Sequence, residues 1–133
     1  MKLAAHSRSR LFETAARWEV PREYFDPLFN YLVHGLHPGG FWRSALANDF
    51  VAAMQHSHPA NSIPQLKNTA GWIRDSFPAE TWGSYRTVDR WVDKTSMSQR
   101  RSVLESQGLI YTEKQEVELI LRGVKVPPEP LLW

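Results

Sequence analysis

Residues 34–56 read HGLHPGGFWRSALANDFVAAMQH, a short segment with three glycines and a proline followed by a mostly apolar run. From Phe41 to His56 the apolar residues recur at helical spacing and cover a wide arc of a helical wheel, whereas the polar residues fill a narrow strip opposite. A helix with so wide an apolar face has neighbours on several sides. We therefore predict one long central helix over residues 41–56, against which shorter helices pack.

A glycine-rich connector precedes that helix. Gly35 suits the left-handed cap of a helix that ends near His34. Pro38 cannot continue that helix, and Gly39 and Gly40 permit a sharp reversal of the chain. A helix N-terminus after glycines can hold an anion, but the GxxxxGK(S/T) pattern of a phosphate loop is absent. A plain helix–helix connector is the favoured interpretation.

The composition is that of a globular protein of one domain. The chain has 133 residues, of which 42% are hydrophobic and 23% are charged. No cysteine is present, which excludes disulfides, thiolate metal sites and cysteine nucleophiles. No apolar run is long enough to span a bilayer, and the N-terminal segment lacks the apolar stretch of a signal peptide. We expect a cytoplasmic protein with no membrane partner.

The remaining signals predict a mainly α fold, a compact single-domain helical bundle around the helix at 41–56. Asp26 and Pro27 predict the start of the helix before the connector, as its N-cap and first helical residue. Residues 1–8 are expected to form a loose tail. The proline-rich segment 124–133 is expected to be extended.

Residues 109–122 are compatible with two structures. Thr112 and Gln115 form a capping-box pattern, which favours a helix over 113–122. The alternation of Val117, Leu119 and Leu121 also suits a short β element near 109–121. The helix is the favoured interpretation, and the β element stays open.

The histidines and acids do not form a catalytic or metal-binding pattern. Two histidines precede the central helix and two follow it, and a helix of about fifteen residues separates the pairs by roughly 20 Å. Asp49 is the one acid in the apolar helix. It could act as a general base, but a hydrogen bond to the turn at Trp82 and Gly83 is the favoured role. Since no nucleophile elbow is present either, we predict no enzyme activity, no metal and no cofactor.

The basic residues suggest nucleic acid as a second kind of partner. The net charge is only +2, however, and a solvated surface of mixed charge is the favoured interpretation. A helix-turn-helix over residues 84–107 would place basic residues at the start of its second helix. The candidate nucleic-acid contacts are Arg8, Arg10, Arg17, Arg100 and Arg101.

Apolar anchors are the candidates for protein binding. Six tryptophans are many for a chain of 133 residues, and tryptophan is typical of cores and interfaces. The C-terminal residues Leu-Leu-Trp form an apolar end that could dock on a partner. The predicted protein contacts are Trp18, Trp72, Leu131, Leu132 and Trp133.

Two stretches, YLVHGLHPGGFWRSALANDFVAAM at 31–54 and TWGSYRTVDRW at 81–91, carry a pattern that resembles a known family. The pattern has Tyr-Leu, Gly-x-x-Pro-Gly-x-Phe, an alanine before Asn-Asp, and Trp-Gly-Ser before a final helix. It resembles small proteins encoded by tailed bacteriophages and prophages, and it covers about half of the chain, within residues 26–93. This chain departs from the pattern at Trp42, which is bulkier than the residue expected at that position. The matching residues are Tyr31, Leu32, Gly35, Pro38, Gly39, Phe41, Ala45, Asn48, Asp49, Trp82, Gly83 and Ser84.

The resemblance implies a phage or prophage origin and a shared fold unit, without a mechanism. It also implies that Asn48 or Asp49 ties the central helix to an adjacent turn. We predict a small accessory protein in the cytoplasm of a bacterial host. It would act by binding, and thereby modulating or inhibiting, a host or phage protein. The alternative is a small helical nucleic-acid-binding protein.

Overall fold

The fold is mainly α, as the sequence predicts, in a computed structural model that describes residues 9–123. The predicted tails at 1–8 and 124–133 lie outside the described residues. Within residues 9–123 the chain forms eight α-helices and one short 3₁₀ helix at Ala79–Thr81. The α-helices are α1 (Leu11–Arg17), α2 (Arg22–His34), α3 (Gly40–Leu46), α4 (Phe50–His56), α5 (Ile63–Ser76), α6 (Tyr85–Asp93), α7 (Met97–Ser106) and α8 (Glu113–Leu121).

Helix α2 supplies the largest share of the core. Six of its side chains are buried, and Phe25 packs against the ring of Trp72 on α5 at 5.7 Å between ring centroids. Two large buried side chains of this region, Tyr31 and Trp91, have their polar atoms hydrogen-bonded, as buried polar groups usually do. Tyr31 donates to the Thr81 carbonyl at 2.6 Å, and the indole of Trp91 donates to the Tyr31 carbonyl at 3.0 Å.

The predicted start of α2 at Asp26 and Pro27 is wrong. The helix begins at Arg22, with Pro21 as its N-cap and Pro27 inside it. The reason is tertiary, since Tyr24 and Phe25 are both buried and helical geometry turns them towards the core. The glycine connector, by contrast, is as predicted: α2 ends at His34 and is followed by Gly35 at φ +65°.

The predicted continuous helix over 41–56 is also wrong, because the chain breaks between α3 and α4. Asn48 has φ +61°, and the amides of Asn48 and Asp49 donate to Ala45 (3.2 Å) and Ser44 (2.9 Å). This is a Schellman ending of α3, in which asparagine takes the left-handed position. The Asp49 carboxylate then accepts from the Ala52 amide at 3.1 Å and caps α4. Apolar periodicity runs through both helices and hides this break.

Residues 113–121 form helix α8, with the predicted capping box between Thr112 and Gln115. The alternative of a β element over these residues is therefore wrong. Among the described residues, extended pairing is limited to one isolated antiparallel bridge between Ser9 and Ile110. That bridge joins the region before α8 to the segment before α1, rather than to α8 itself.

Candidate protein-binding cleft

An open apolar cleft of about 420 Å³ lies between α4 and α5, beside α3. We call it the α4–α5 cleft. Its walls are mostly apolar, and a carboxylate, Asp49, and a guanidinium, Arg74, also line it. The large apolar lining residues are Phe41, Trp42, Phe50, Met54, Leu66, Ile73 and Trp82.

Helix α4 exposes most of its apolar side chains beside this cleft. Phe50 is 73% exposed and Val51 is 68% exposed, while Ala53 is the only buried residue of the helix. Met54 and, at the start of α5, Ile63 are exposed as well. Because exposed apolar area is unfavourable in water, a group of large apolar side chains around a cleft indicates a binding surface.

Residues of the family-like pattern meet at one end of the cleft. The Gly83 amide donates to the Leu46 carbonyl at 2.7 Å, a group that the break after α3 leaves without a partner in its own helix. The Asn48 side chain contacts the Gly83 carbonyl at 3.5 Å. Ser84 caps α6 through the Thr87 amide. Of the pair Asn48-Asp49, only Asn48 contacts this turn, and the predicted hydrogen bond between Asp49 and the turn is wrong, because Tyr85 and Ala52 donate to Asp49 instead.

Asp49 has a structural role in a polar network on α3, α4 and α6. Tyr85 donates to the Asp49 carboxylate at 2.6 Å, and this bond, with that of the Ala52 amide, lowers the pKa of Asp49. The Arg43 guanidinium makes two 2.8 Å bonds to Asp89 and lies 4.4 Å from the centre of the Tyr85 ring. Its hydrogen bond lowers the pKa of Asp89. Each Asp49 carboxylate oxygen accepts a hydrogen bond from within the protein, which supports a structural role for this side chain.

Two histidines, His37 and His58, stabilise the turns in which they lie. His37 accepts from the Gly39 amide and His58 from the Ala60 amide, each at 3.0 Å. Although the central helix breaks, no three His, Asp or Glu side chains within residues 9–123 come close enough together to hold a metal ion.

Arg100 is buried and does not face solvent as a nucleic-acid contact would. It is 8% exposed and donates to the carbonyls of Trp91 (3.3 Å), His34 (3.4 Å) and Thr95. These carbonyls lie at or just beyond the ends of α2 and α6, where backbone acceptors lack helical partners. The prediction that Arg100 contacts nucleic acid is therefore wrong.

The other arginines that were predicted to contact nucleic acid lie in different environments. Arg101 makes an ion pair with Glu105 at 2.7 Å, and that bond raises the pKa of Arg101. Arg10 and Arg17 are exposed, at the start and end of α1. Arg8 lies outside the described residues.

The structure describes two of the five predicted protein contacts, Trp18 and Trp72. Trp72 is fully buried, and its indole donates to Thr14 at 2.9 Å, so its predicted role as a partner contact is wrong. Trp18 is 38% exposed and lies over Gly71 of α5. Leu131, Leu132 and Trp133 lie outside the described residues.

Sequence reasoning missed the exposed face of α4. Periodicity assigned Phe50 and Met54 to the buried arc of one long helix, because it marks apolar positions and does not show which of them are covered. The available signal was Asn48-Asp49, a pair suited to end one helix and begin another.

No protein-family model matches the chain, and comparisons with curated proteins and with solved structures found no match. None of the described helices has the length and apolar character needed to cross a bilayer.

Proposed function

We propose that this chain is a small accessory protein that acts by binding another protein through the α4–α5 cleft. The exposure of Phe50 beside the cleft is the observation that carries the proposal. Covering an exposed phenyl ring stabilises a complex by about 25 cal/mol for each Å² of apolar area that the partner buries. Large aromatic side chains beside a cleft are also typical of the residues that dominate binding energy at interfaces.

The cleft is well suited to binding because its end is held in place. The Gly83–Leu46 hydrogen bond joins the turn before α6 to the end of α3. The Tyr85–Asp49 hydrogen bond joins α6 to the start of α4. A surface that is already ordered loses less conformational entropy when a partner binds.

The resemblance to phage and prophage proteins motivates the choice of partner. We propose a host or phage protein in the bacterial cytoplasm, whose activity is modulated or inhibited when this chain covers part of its surface. Nucleic-acid binding is the weaker candidate, because Arg100 is buried and Arg101 is paired with Glu105.

The test is affinity capture from a bacterial lysate, with and without nuclease, using the wild type, Phe50→Glu and Met97→Glu. Met97 is the matched control, because it is 72% exposed and lies on α7, away from the lining of the cleft. We expect a stoichiometric protein partner with the wild type and with Met97→Glu, and loss of that partner with Phe50→Glu.

Two results would count against the proposal. One is a partner that Phe50→Glu still captures in full, since the cleft would then not be the binding surface. The other is a capture that disappears when nuclease is added, which would favour the nucleic-acid alternative. Circular dichroism of each variant shows that it is folded.

A further inference from the structure

We propose that the α4–α5 cleft also binds a second copy of this chain, in a two-fold symmetric dimer. The inference rests on the proposed function because it uses the same surface, and it names one occupant of that surface. A host or phage partner would then compete with the second copy.

The shape of the surface is the first argument. A two-fold interface uses the same patch on both copies, so the patch must carry both a projection and a depression that receives it. Phe50 projects from α4 at 73% exposure at the wall of the cleft of about 420 Å³, and the next residue of α4, Val51, is 68% exposed. In the proposed dimer, Phe50 of each copy enters the cleft of the other.

The charges around the cleft are the second argument. Arg74 is exposed and takes part in none of the ion pairs within residues 9–123. Asp49 lines the same cleft and carries the opposite charge. Because two-fold symmetry repeats each contact, Asp49 of one copy and Arg74 of the other can pair twice. A rim of one sign would repel its own copy, whereas this rim is self-complementary.

The helical nature of the walls is the third argument. Phe50 and Met54 are four residues apart on one face of α4, the spacing found in helix–helix contacts, and both line the cleft. Both walls of the cleft are helices, so the cleft offers no strand edge to an extended peptide. A helix satisfies its own backbone hydrogen bonds, and α4 of a second copy is such a helix.

The test is sedimentation velocity over a wide range of protein concentrations. We expect the wild type and Met97→Glu to form a dimer as the concentration rises, and Phe50→Glu to stay monomeric. Val51→Glu tests the same contact should Phe50→Glu fail to fold. We also expect Arg74→Glu to weaken the dimer roughly tenfold or more, because it sets two carboxylates against each other. Lys67→Glu makes the same change of charge on α5 at an exposed position that does not line the cleft, and it should leave the dimer intact.

Each outcome decides between the two proposals. A wild type that is monomeric at every concentration would overturn the dimer and leave the proposed function standing. A dimer that survives both Phe50→Glu and Val51→Glu would place self-association on another surface, and would overturn this inference. A lysate partner that Phe50→Glu retains would count against the proposed function, even if Phe50→Glu is monomeric.

Discussion

The guanidinium of Arg100 occupies the space that a side chain at Gly35 would need. Gly35 follows α2 at φ +65°, and a Cβ added there would overlap the guanidinium of Arg100 from α7. From this position Arg100 donates to the carbonyls of His34 and Trp91. One buried cation thus satisfies acceptors from two helices, and the absence of a side chain at residue 35 lets it approach.

We predict that Gly35→Ala is more destabilising than a glycine substitution that introduces backbone strain alone. Gly108 is the matched control, since it has φ +70° and no atom within 4 Å of the place of a Cβ. Gly108→Ala should lose about 1 kcal/mol, and Gly35→Ala roughly 2–4 kcal/mol because overlap adds to strain. Urea unfolding followed by circular dichroism measures both values. Equal losses would mean that Arg100 does not restrict residue 35.

We predict energetic coupling between Gly71 and Trp18. A Cβ at Gly71 would overlap the six-membered ring of Trp18, although replacing a helical glycine by alanine usually stabilises a protein by about 1 kcal/mol. Gly71→Ala should therefore be neutral or destabilising in the wild type. In a Trp18→Ala background the same substitution should be stabilising. A double-mutant cycle by chemical unfolding gives the coupling, and a value near zero would show that the ring does not rest on Gly71.

We predict that glycine is at least as good as alanine at position 48. Asn48 has φ +61°, a conformation that glycine adopts freely and alanine does not. Asn48→Gly should keep nearly wild-type stability, and Asn48→Ala should lose about 1 kcal/mol. In an unbroken helix the order is reversed, because alanine exceeds glycine by about 1 kcal/mol. The sign of the Gly–Ala difference in unfolding free energy therefore tests the break between α3 and α4.

We predict that Asp49 contributes to stability at neutral pH and loses this contribution in acid. Its hydrogen bonds from Tyr85 and Ala52 hold the pKa of Asp49 below the ordinary value of 3.8. For a carboxyl with a lowered folded-state pKa, the stabilisation is present above the unfolded-state pKa and is lost as pH falls through the folded-state pKa. The stability difference between the wild type and Asp49→Asn should therefore shrink below about pH 4.

NMR titration of the Asp49 carboxyl shows whether the hydrogen bond from Tyr85 lowers its pKa. Tyr85→Phe removes the largest cause, so the pKa of Asp49 should move up towards its ordinary value. Tyr111→Phe removes a hydroxyl outside this network and should leave the titration unchanged. An unchanged titration in Tyr85→Phe would contradict the Tyr85–Asp49 hydrogen bond.

Features decided within a few residues could be predicted from the sequence. The capping box of α8 and the Ser84 cap of α6 join neighbours in the chain, and the left-handed Gly35 ends α2 where expected. The pair Asn48-Asp49 is a local signal for the end of one helix and the start of the next. The prediction followed the apolar periodicity of residues 41–56 instead, and so missed the break.

The mainly α character and several helix ends were thus determined by the sequence itself, because capping and turn conformations depend on residues at most a few positions apart. Which apolar and charged side chains are covered depends instead on how the helices pack together. Trp72 is fully buried, and its indole donates to Thr14, which lies 58 positions away in the chain. Arg100 is buried as well. Phe50 stays in water beside the α4–α5 cleft. Burial depends on which distant segments pack together, and periodicity along one helix does not contain that information.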